Sequence, residues 1–218
     1  MVLLARTAPK DEVKKKSDGL SVFLIDMRDA LKNGMTINPI RTMLNHATTE
    51  VFFDNVPIPA DSLIGEEGKG FKYILSGMNA ERILIAAECV GDARWFIKKA
   101  SDYASEREVL GRPIGRNQRI QFPIARAFAQ TEAAEAVLDK ACCLYESGDT
   151  SGTYANMAKL LTSEASWAAA DTWMQTFRGF AVAEEYDVER KFREARLYQI
   201  APISTNLILS SLAERELG

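Results

Sequence analysis

The chain has 218 residues, of which 47% are hydrophobic and 26% are charged, with 27 Lys and Arg set against 30 Asp and Glu. This composition excludes disordered, collagen-like and coiled-coil proteins and is typical of a globular protein with a sizeable core. The net charge of -3 gives no reason to expect nucleic acid or an anionic membrane as a partner. We also expect no membrane span, because no apolar run approaches the roughly 20 residues that one needs.

Residues 1 to 60 contain several short runs that are rich in β-branched and aromatic side chains. The runs 20–26 and 49–54 are predicted strands, and 1–5 and 35–41 are weaker candidates. Strands this few would leave sheet edges unpaired, which proteins normally avoid. This part of the chain therefore resembles half of a β domain.

From Gly70 onward, apolar residues recur at steps of three, four and seven, the period of a helix. We expect a long helix to about residue 105, a polar loop over 106–117, and further helices ending near Gly148, over 153–177 and over 187–198. A last helix begins at a Ser204 or Thr205 cap. Phe128 and Leu161 are placed on the apolar faces of these helices. The predicted fold is α+β and mainly α, a partial β-sheet segment over 1–63 followed by an antiparallel four-helix bundle over 64–218.

The histidine and cysteine content limits the possible chemistry. His46, the one histidine, would have to serve any catalytic triad or His-based metal site by itself. We expect it to be a loop or strand-end residue. Cys89, Cys142 and Cys143 have neither a disulfide pattern nor metal-ligand spacing, so we expect a reducing, intracellular compartment and no metal. Proton chemistry is left to a carboxylate.

Glu81 is the carboxylate with the most unusual position. It follows Met78 by three residues and precedes Ile85 by four, which places it on the apolar stripe of the first long helix. A desolvated carboxylate suits a general base that works near neutral pH. Two alternatives stay open at this point. Glu81 lies at the edge of the stripe and pairs with Arg82 or another cation, or Glu88, one helical repeat further on, has the role of the base instead.

Two further groups of residues suit an anionic ligand. Arg107, Arg112, Arg116 and Arg119 lie in or just after a Gly/Pro loop at a helix start, an arrangement suited to phosphate or pyrophosphate, although a solvated loop has the same composition. Gln175 and Gly179 lie where a helix ends. Gly179 is alternatively a simple helix cap.

Several short motifs follow one another along the chain: Phe53-Asp-Asn-Val-Pro-Ile-Pro, Gly65-Glu-Glu-Gly-Lys-Gly-Phe, Ala80-Glu-Arg, Glu106-Arg, Gly111, Gln118, Gln175, Gly179, Glu185-Tyr and Arg193-Glu-Ala-Arg-Leu-Tyr-Gln. Taken in order, these motifs resemble the acyl-CoA dehydrogenase family over nearly the whole chain. The resemblance implies a flavin enzyme that oxidises an acyl-CoA thioester to the 2,3-enoyl-CoA: a glutamate removes the α-proton, FAD takes up the β-hydride, and electrons leave to an electron-transfer flavoprotein.

The resemblance places the catalytic base at one of two positions. Most members carry the glutamate just after the Tyr-Gln pair near the C-terminus, where this chain has Pro202, which cannot accept a proton. Isovaleryl and long-chain members carry it on the first long helix, directly before an arginine, which corresponds to Glu81 followed by Arg82. The resemblance therefore implies Glu81 as the base, with Asn79 and Arg82 as substrate-binding residues.

The resemblance also implies the FAD contacts. Arg178 and Ala181 depart from the family pattern, because both positions are usually glycine, and an arginine there puts close backbone approach to the cofactor in doubt. The implied contact residues in this chain are Arg107, Gln118, Gln175, Gly179, Ser204 and Asn206.

Family members are longer than this chain, so we expect it to be the C-terminal part of a larger protein and to be inactive alone. Its expected partners are an acyl-CoA, an electron-transfer flavoprotein and further copies of itself, as a dimer or tetramer. We expect a bacterial cytoplasmic location, with the mitochondrial matrix as the alternative. Two other functions stay open: a non-catalytic bundle for oligomerisation or binding, and an acyl-CoA oxidase that uses oxygen.

Overall fold

A computed structural model describes residues 1–44, 47–148 and 152–218. The chain divides into two compact units, Met1–Met78 and Asn79–Gly218. The predicted loop position of His46 lies outside the described residues.

The first unit contains two antiparallel sheets. Strands β1 (Val2–Arg6) and β2 (Leu20–Leu24) are followed by a single helical turn, α1 (Met27–Ala30), and then by β3 (Met35–Ile40), β4 (Thr48–Phe53) and β5 (Leu63–Ile64). One sheet has the strand order β1-β2-β5, and the other pairs β3 with β4. The four predicted strands are confirmed, whereas α1 and β5 were not predicted, because a run of two to four residues carries no periodic signal.

The core of the first unit is small. Ile25, Ala30 and Met35 are buried, and partly buried side chains of β1 to β4 pack around them. The inward side chains alternate along the strands, as the period of two requires, so that Ile37 of β3 lies opposite Val51 of β4.

Helices dominate the rest of the chain. Helix α2 (Gly70–Glu106) begins in the first unit and continues through the second, where it is followed by a two-stranded hairpin, β6 (Glu108–Val109) with β7 (Arg112–Pro113). The remaining helices are α3 (Gln118–Glu146), α4 (Thr153–Phe177), α5 (Val188–Leu197) and α6 (Thr205–Leu217). Ser204 caps α6, since its side-chain oxygen accepts a hydrogen bond from Leu207 N at 3.4 Å. These bounds confirm the predicted helices, and the β6–β7 hairpin is an element that the sequence did not indicate.

The helical core combines aromatic rings with alanines. Phe96 of α2 stacks on Trp173 of α4 with 5.4 Å between ring centroids, and both side chains are fully buried. Small residues beside the rings let the helices approach closely: Ala93 and Ala100 on α2, Ala127 on α3, and Ala169 and Ala170 on α4.

The predicted burial of two large side chains is wrong. Phe128 is 53% exposed and Leu161 is 36% exposed. The buried seam of α3 instead follows spacings of three, four and seven, and Phe128 lies one position to the side of Ala127. Alanine is a weak hydrophobic signal, so the sequence pattern followed the larger residues. The buried residues of α3 are Ile120, Ala127, Thr131, Ala134, Leu138 and Ala141.

The observed class is α+β and mainly α, as predicted. Within the described ranges, the structure has no helix that combines the length and the apolar character needed to cross a bilayer. The predicted boundary between residues 63 and 64 falls before α2, whereas the two compact units meet inside α2 at Met78 and Asn79. That boundary stays a prediction.

Candidate active site and cofactor cavity

Glu81 lies on α2 next to a hydrogen-bonded pair. Arg82 Nη1 donates to Asn79 Oδ1 at 2.8 Å, a contact that the spacing of three residues on one helix face allows. Within the described residues, Glu81 accepts no hydrogen bond and forms no ion pair, and its charge acts on the neighbouring guanidinium of Arg82. The carboxylate is therefore available for a reaction.

The expected burial of Glu81 is wrong for this chain, because its side chain is exposed. Beyond Glu81, the first buried positions of α2 are Ala86, Cys89, Val90 and Ala93. At about 100° per residue, these positions lie on average about 130° around the helix from Glu81. The apolar stripe of the sequence was drawn through Met78 and Ile85, which are only partly buried.

Arg82 is partly buried, and this burial lowers the pKa of its guanidinium, while the charge of Glu81 opposes that change. Its Nε is buried and has no hydrogen-bond partner in the described part of the chain. The unsatisfied donor and the lowered pKa both favour an added acceptor beside Arg82.

Glu88, the alternative base, is already engaged. Tyr198, just after α5, donates a hydrogen bond from its hydroxyl to Glu88 Oε1. Burial raises the pKa of Tyr198 above its ordinary value, and the hydrogen bond to Glu88 raises it further. The phenol thus stays protonated and keeps donating. A carboxylate oxygen that already accepts a hydrogen bond from the protein is less available to a substrate than a free one, so the geometry favours Glu81.

A cavity of about 640 Å³ lies where α2, the β6–β7 hairpin, α3 and α4 meet at their ends. Tyr103 of α2 stacks on Phe177 of α4 with 3.9 Å between ring centroids, which forms part of its wall. Arg107 lies over the ring of Phe180 at 5.5 Å. A second cavity of about 310 Å³ shares four lining residues with the first, Arg119, Ile120, Thr176 and Arg178.

The electrostatics of this pair of cavities favour an anion. Four arginines line the larger cavity, and no Asp or Glu occurs among the lining residues that the structure describes for either cavity. Guanidinium groups bind phosphate oxygens through paired N–H donors. The donor set, with the aromatic walls, fits the diphosphate and adenosine half of a dinucleotide such as FAD. The four arginines are Arg107, Arg112, Arg119 and Arg178.

The end of α4 differs from the simple cap that the sequence suggested. Arg178, not Gly179, is the C-cap residue, and its backbone has φ +56° and ψ -127°. An added Cβ at Gly179 would meet no atom within 4 Å. The chain itself therefore does not require glycine at 179, and the open space suits the close approach of a ligand to the backbone.

The structure brings together some of the predicted cofactor residues and not others. Arg107 and Gly179 line the larger cavity and Gln175 the smaller one, while Gln118 is the first residue of α3, between the lining residues Asn117 and Arg119. Ser204 and Asn206 line neither of the two cavities. Ser204 is partly buried at the α6 cap and Asn206 is exposed.

Lys159 of α4 is a residue that the sequence analysis missed. It is fully buried, and its Nζ donates to the backbone oxygen of Ile203 at 2.8 Å. Burial lowers the pKa of this ammonium group. The bond fixes the turn just before Ser204. A lysine within an apolar run carries no sequence signal that separates it from a surface lysine.

No group of three or more potential metal ligands occurs in the described ranges of the chain.

Comparisons with known proteins place these features in one family. Residues 68–217 match the model of the acyl-CoA dehydrogenase C-terminal domain. Acyl-CoA dehydrogenase FadE12 of Mycobacterium tuberculosis is 39% identical over 171 residues, 78% of this chain and 44% of the relative. An acyl-CoA dehydrogenase of Bacillus subtilis is 35% identical over 202 residues, 91% of this chain and 52% of the relative.

The fold is similar to that of a solved glutaryl-coenzyme A dehydrogenase in complex with glutaryl-CoA, with a TM-score of 0.92 and 31% identity. That match covers 100% of this chain and 55% of the solved chain. The chain thus spans about half the length of the relatives that it matches. It belongs to the acyl-CoA dehydrogenase family.

Proposed function

We propose that the protein carrying this chain oxidises an acyl-CoA thioester to the 2,3-enoyl-CoA with FAD as cofactor, and that Glu81 is the base. One observation carries the assignment of the base: Glu81 is unpaired within the described residues, whereas Glu88 accepts a hydrogen bond from Tyr198. Pro202 at the other family position has no group that takes a proton. The relatives that bear acyl-CoA dehydrogenase names support the reaction class.

The reaction begins with the C–H bond next to the thioester carbonyl. A carboxylate oxygen of Glu81 takes this proton, and the electron pair that is left behind forms the new Cα–Cβ double bond. When bound, FAD supplies the two-electron chemistry that takes up the β-hydrogen with its electron pair, which side chains cannot do. The protein's task is to position Glu81 and to keep water away from the reacting carbons.

Asn79 and Arg82 are the proposed substrate contacts. The free Nε of Arg82 offers a donor one residue from the base, and the Asn79–Arg82 hydrogen bond holds the guanidinium in a defined direction. Because Glu81 is exposed in this chain, we infer that the bound thioester and a neighbouring protein surface cover it during the reaction. The solved glutaryl-coenzyme A dehydrogenase to which this chain is similar is in complex with glutaryl-CoA.

Arg107, Gln118, Gln175 and Gly179 are the proposed contacts of the FAD diphosphate and adenosine, in and beside the two cavities. The arginine charge of the lining supports this proposal. Ser204 and Asn206 are proposed to contact the flavin elsewhere.

Self-association as a dimer or tetramer is proposed as well, since Phe122 and Phe128 of α3 leave apolar surface exposed.

The test uses the intact protein in D₂O, where a working base exchanges the α-proton of a bound acyl-CoA for deuterium without any electron acceptor. We expect Glu81→Gln to slow this exchange and enoyl-CoA formation by about 10²–10⁴-fold, the usual contribution of a general base. Glu88→Gln is the matched control on the same helix. Flavin absorbance is read in both variants, so that loss of the cofactor is not mistaken for loss of the base.

Unchanged exchange in Glu81→Gln would remove Glu81 from the mechanism. Absence of bound FAD and of reaction in the intact wild-type protein would favour the non-catalytic bundle. Oxygen consumption in place of electron-transfer flavoprotein reduction would favour an oxidase. The cytoplasmic location and the inactivity of the chain alone stay predictions.

A further inference from the structure

Arg178 has a backbone conformation that side chains rarely adopt. Its φ of +56° with ψ of -127° lies in a region that glycine occupies without penalty. Its N–H still caps α4 by donating to Met174 O. Glycine would make the same cap with less strain, so an arginine here costs free energy of folding and points to a use for the side chain.

The Arg178 side chain lies at the junction of the two cavities. It lines both, together with Arg119, Ile120 and Thr176. It is exposed to these spaces, and within the described residues it has no ion pair or hydrogen-bonded side chain. A guanidinium that stands at a junction without a partner is free to bind a ligand that enters either cavity.

The other arginines of the larger cavity also favour the binding of an anion there. Arg107 contacts the Phe180 ring, and Arg112 Nη2 donates to Asn117 Oδ1 at 2.9 Å. Neither partner is an anion, so their positive charges repel one another and that of Arg178. Arg119 likewise has no ion pair among the described residues. Two neighbouring phosphates would neutralise such a group of charges better than a single carboxylate.

We propose that Arg178 is a specificity-determining residue of this chain that contacts the diphosphate of an adenine dinucleotide. The proposal rests on the proposed function, in which these cavities hold the diphosphate and adenosine of FAD, and it adds a contact at a position where the family usually has glycine. Next to Arg178, the open space at Gly179 lets the phosphates approach the backbone. The free energy that the Arg178 side chain gains by binding the phosphates thus offsets the cost of its strained backbone conformation.

The experiment titrates the unliganded intact protein with FAD, with ADP as the isolated diphosphate probe and with adenosine as the uncharged probe, by calorimetry at low and high salt. Four proteins are compared: wild type, Arg178→Gly, Arg178→Lys and the matched control Arg126→Ala. Arg126 is exposed on α3 and lines neither of the two cavities. Thermal unfolding of the unliganded proteins is measured in parallel.

We expect Arg178→Gly to bind FAD and ADP about tenfold more weakly, with a smaller salt dependence, and to bind adenosine as wild type does. Arg178→Lys recovers part of the affinity. Because the strain is relieved, the Tm of unliganded Arg178→Gly rises by about 2–4 °C, so weaker binding cannot be assigned to misfolding. Arg126→Ala binds normally.

Equal or tighter binding of FAD and ADP by Arg178→Gly would overturn the proposal and show that the side chain is neutral or obstructs the cavity. Wild-type protein that binds neither FAD nor ADP would overturn it together with the proposed cofactor. The two failures are distinguished by the wild-type titration alone.

Discussion

The hydroxyl of Tyr198 donates a hydrogen bond to Glu88 Oε1 across 110 residues of sequence, from the segment after α5 to the middle of α2. This contact separates two glutamates that lie seven residues apart on one helix. Glu88 has a structural partner, and Glu81 has none in the described part of the chain. The assignment of Glu81 as the base depends on that difference.

Tyr198→Phe removes the donor and leaves the ring in place. We expect the free energy of unfolding to fall by about 0.5–1.5 kcal/mol, the net value of a typical hydrogen bond, without a change in α-proton exchange by the intact protein. Urea denaturation and the D₂O exchange assay measure the two effects. Tyr186→Phe is the control, because the Tyr186 hydroxyl has no hydrogen bond among the described residues. A large loss of exchange in Tyr198→Phe would transfer the base role towards Glu88.

The raised pKa of the Cys89 thiol predicts that the folded protein loses stability at high pH. Burial raises the pKa of its thiol from 9.0 to about 12, with the negative charge of Asp92 adding to the rise and Lys159 opposing it. Because the folded pKa lies above the unfolded one, the thiol contributes stability that is fully present below pH 9 and is lost as the pH rises towards 12. The steepest loss is about 1.4 kcal/mol per pH unit.

Urea denaturation of wild type and Cys89→Ala between pH 8 and 11 checks this dependence. The variant lacks the thiol and is expected to show the shallower decline, whatever its stability at pH 8. Parallel curves for the two proteins would mean that Cys89 ionises as freely in the folded state as in the unfolded one.

The lowered pKa of the Lys159 ammonium group predicts the opposite dependence of stability on pH. Burial lowers the pKa of its ammonium group below 10.5, so the unfolded state binds more protons as the pH approaches that value, and stability rises with pH in this window. Lys159→Met removes the titration and retains most of the side-chain volume. In a Cys89→Ala background, we expect the stability of the lysine protein relative to the methionine protein to increase between pH 8 and 10.5.

The Ile203 carbonyl loses its donor in Lys159→Met, which costs about 1–3 kcal/mol for an unsatisfied buried group. Removal of a buried charge offsets part of this cost. Chemical denaturation at the two pH values measures both effects together, and a constant difference between the two proteins would contradict the lowered pKa of Lys159.

Gly70 and Gly77 of α2 are expected to respond in opposite directions to alanine. A Cβ at Gly70 would lie 2.6 Å from the backbone carbon of Ser21, whereas one at Gly77 would meet nothing within 4 Å. Gly70→Ala should lower the free energy of unfolding by about 1–3 kcal/mol through overpacking. Gly77→Ala should raise it by about 0.5–1 kcal/mol through its better helix propensity.

Thermal and urea unfolding of the two alanine variants compare the positions directly. If Gly70→Ala is as stable as wild type, then α2 does not begin against the Ser21 backbone as the structure describes.

Much of the fold followed from the sequence, because helix periodicity is a local property of the chain. The 3.6-residue period and the flanking caps predicted α4 at residues 153–177, as observed. They placed the cap of α6 at Ser204 or Thr205, and Ser204 is the cap in the structure. The resemblance to acyl-CoA dehydrogenases also rested on short motifs that the sequence alone contains. The match of residues 68–217 to the model of the acyl-CoA dehydrogenase C-terminal domain confirmed this resemblance.

Only the tertiary structure decided which side chains share a neighbourhood. The sequence placed Glu81 on an apolar stripe of α2. In the folded protein, the face of α2 that packs against the other helices is rich in alanine, and Glu81 is exposed. From the sequence, Arg178 was expected to hinder close approach of the cofactor to the backbone. The fold places it at the junction of two cavities lined by arginines. Periodicity reports the apolar side of a helix, while burial, partners and cavities depend on the elements that pack against it from distant parts of the chain.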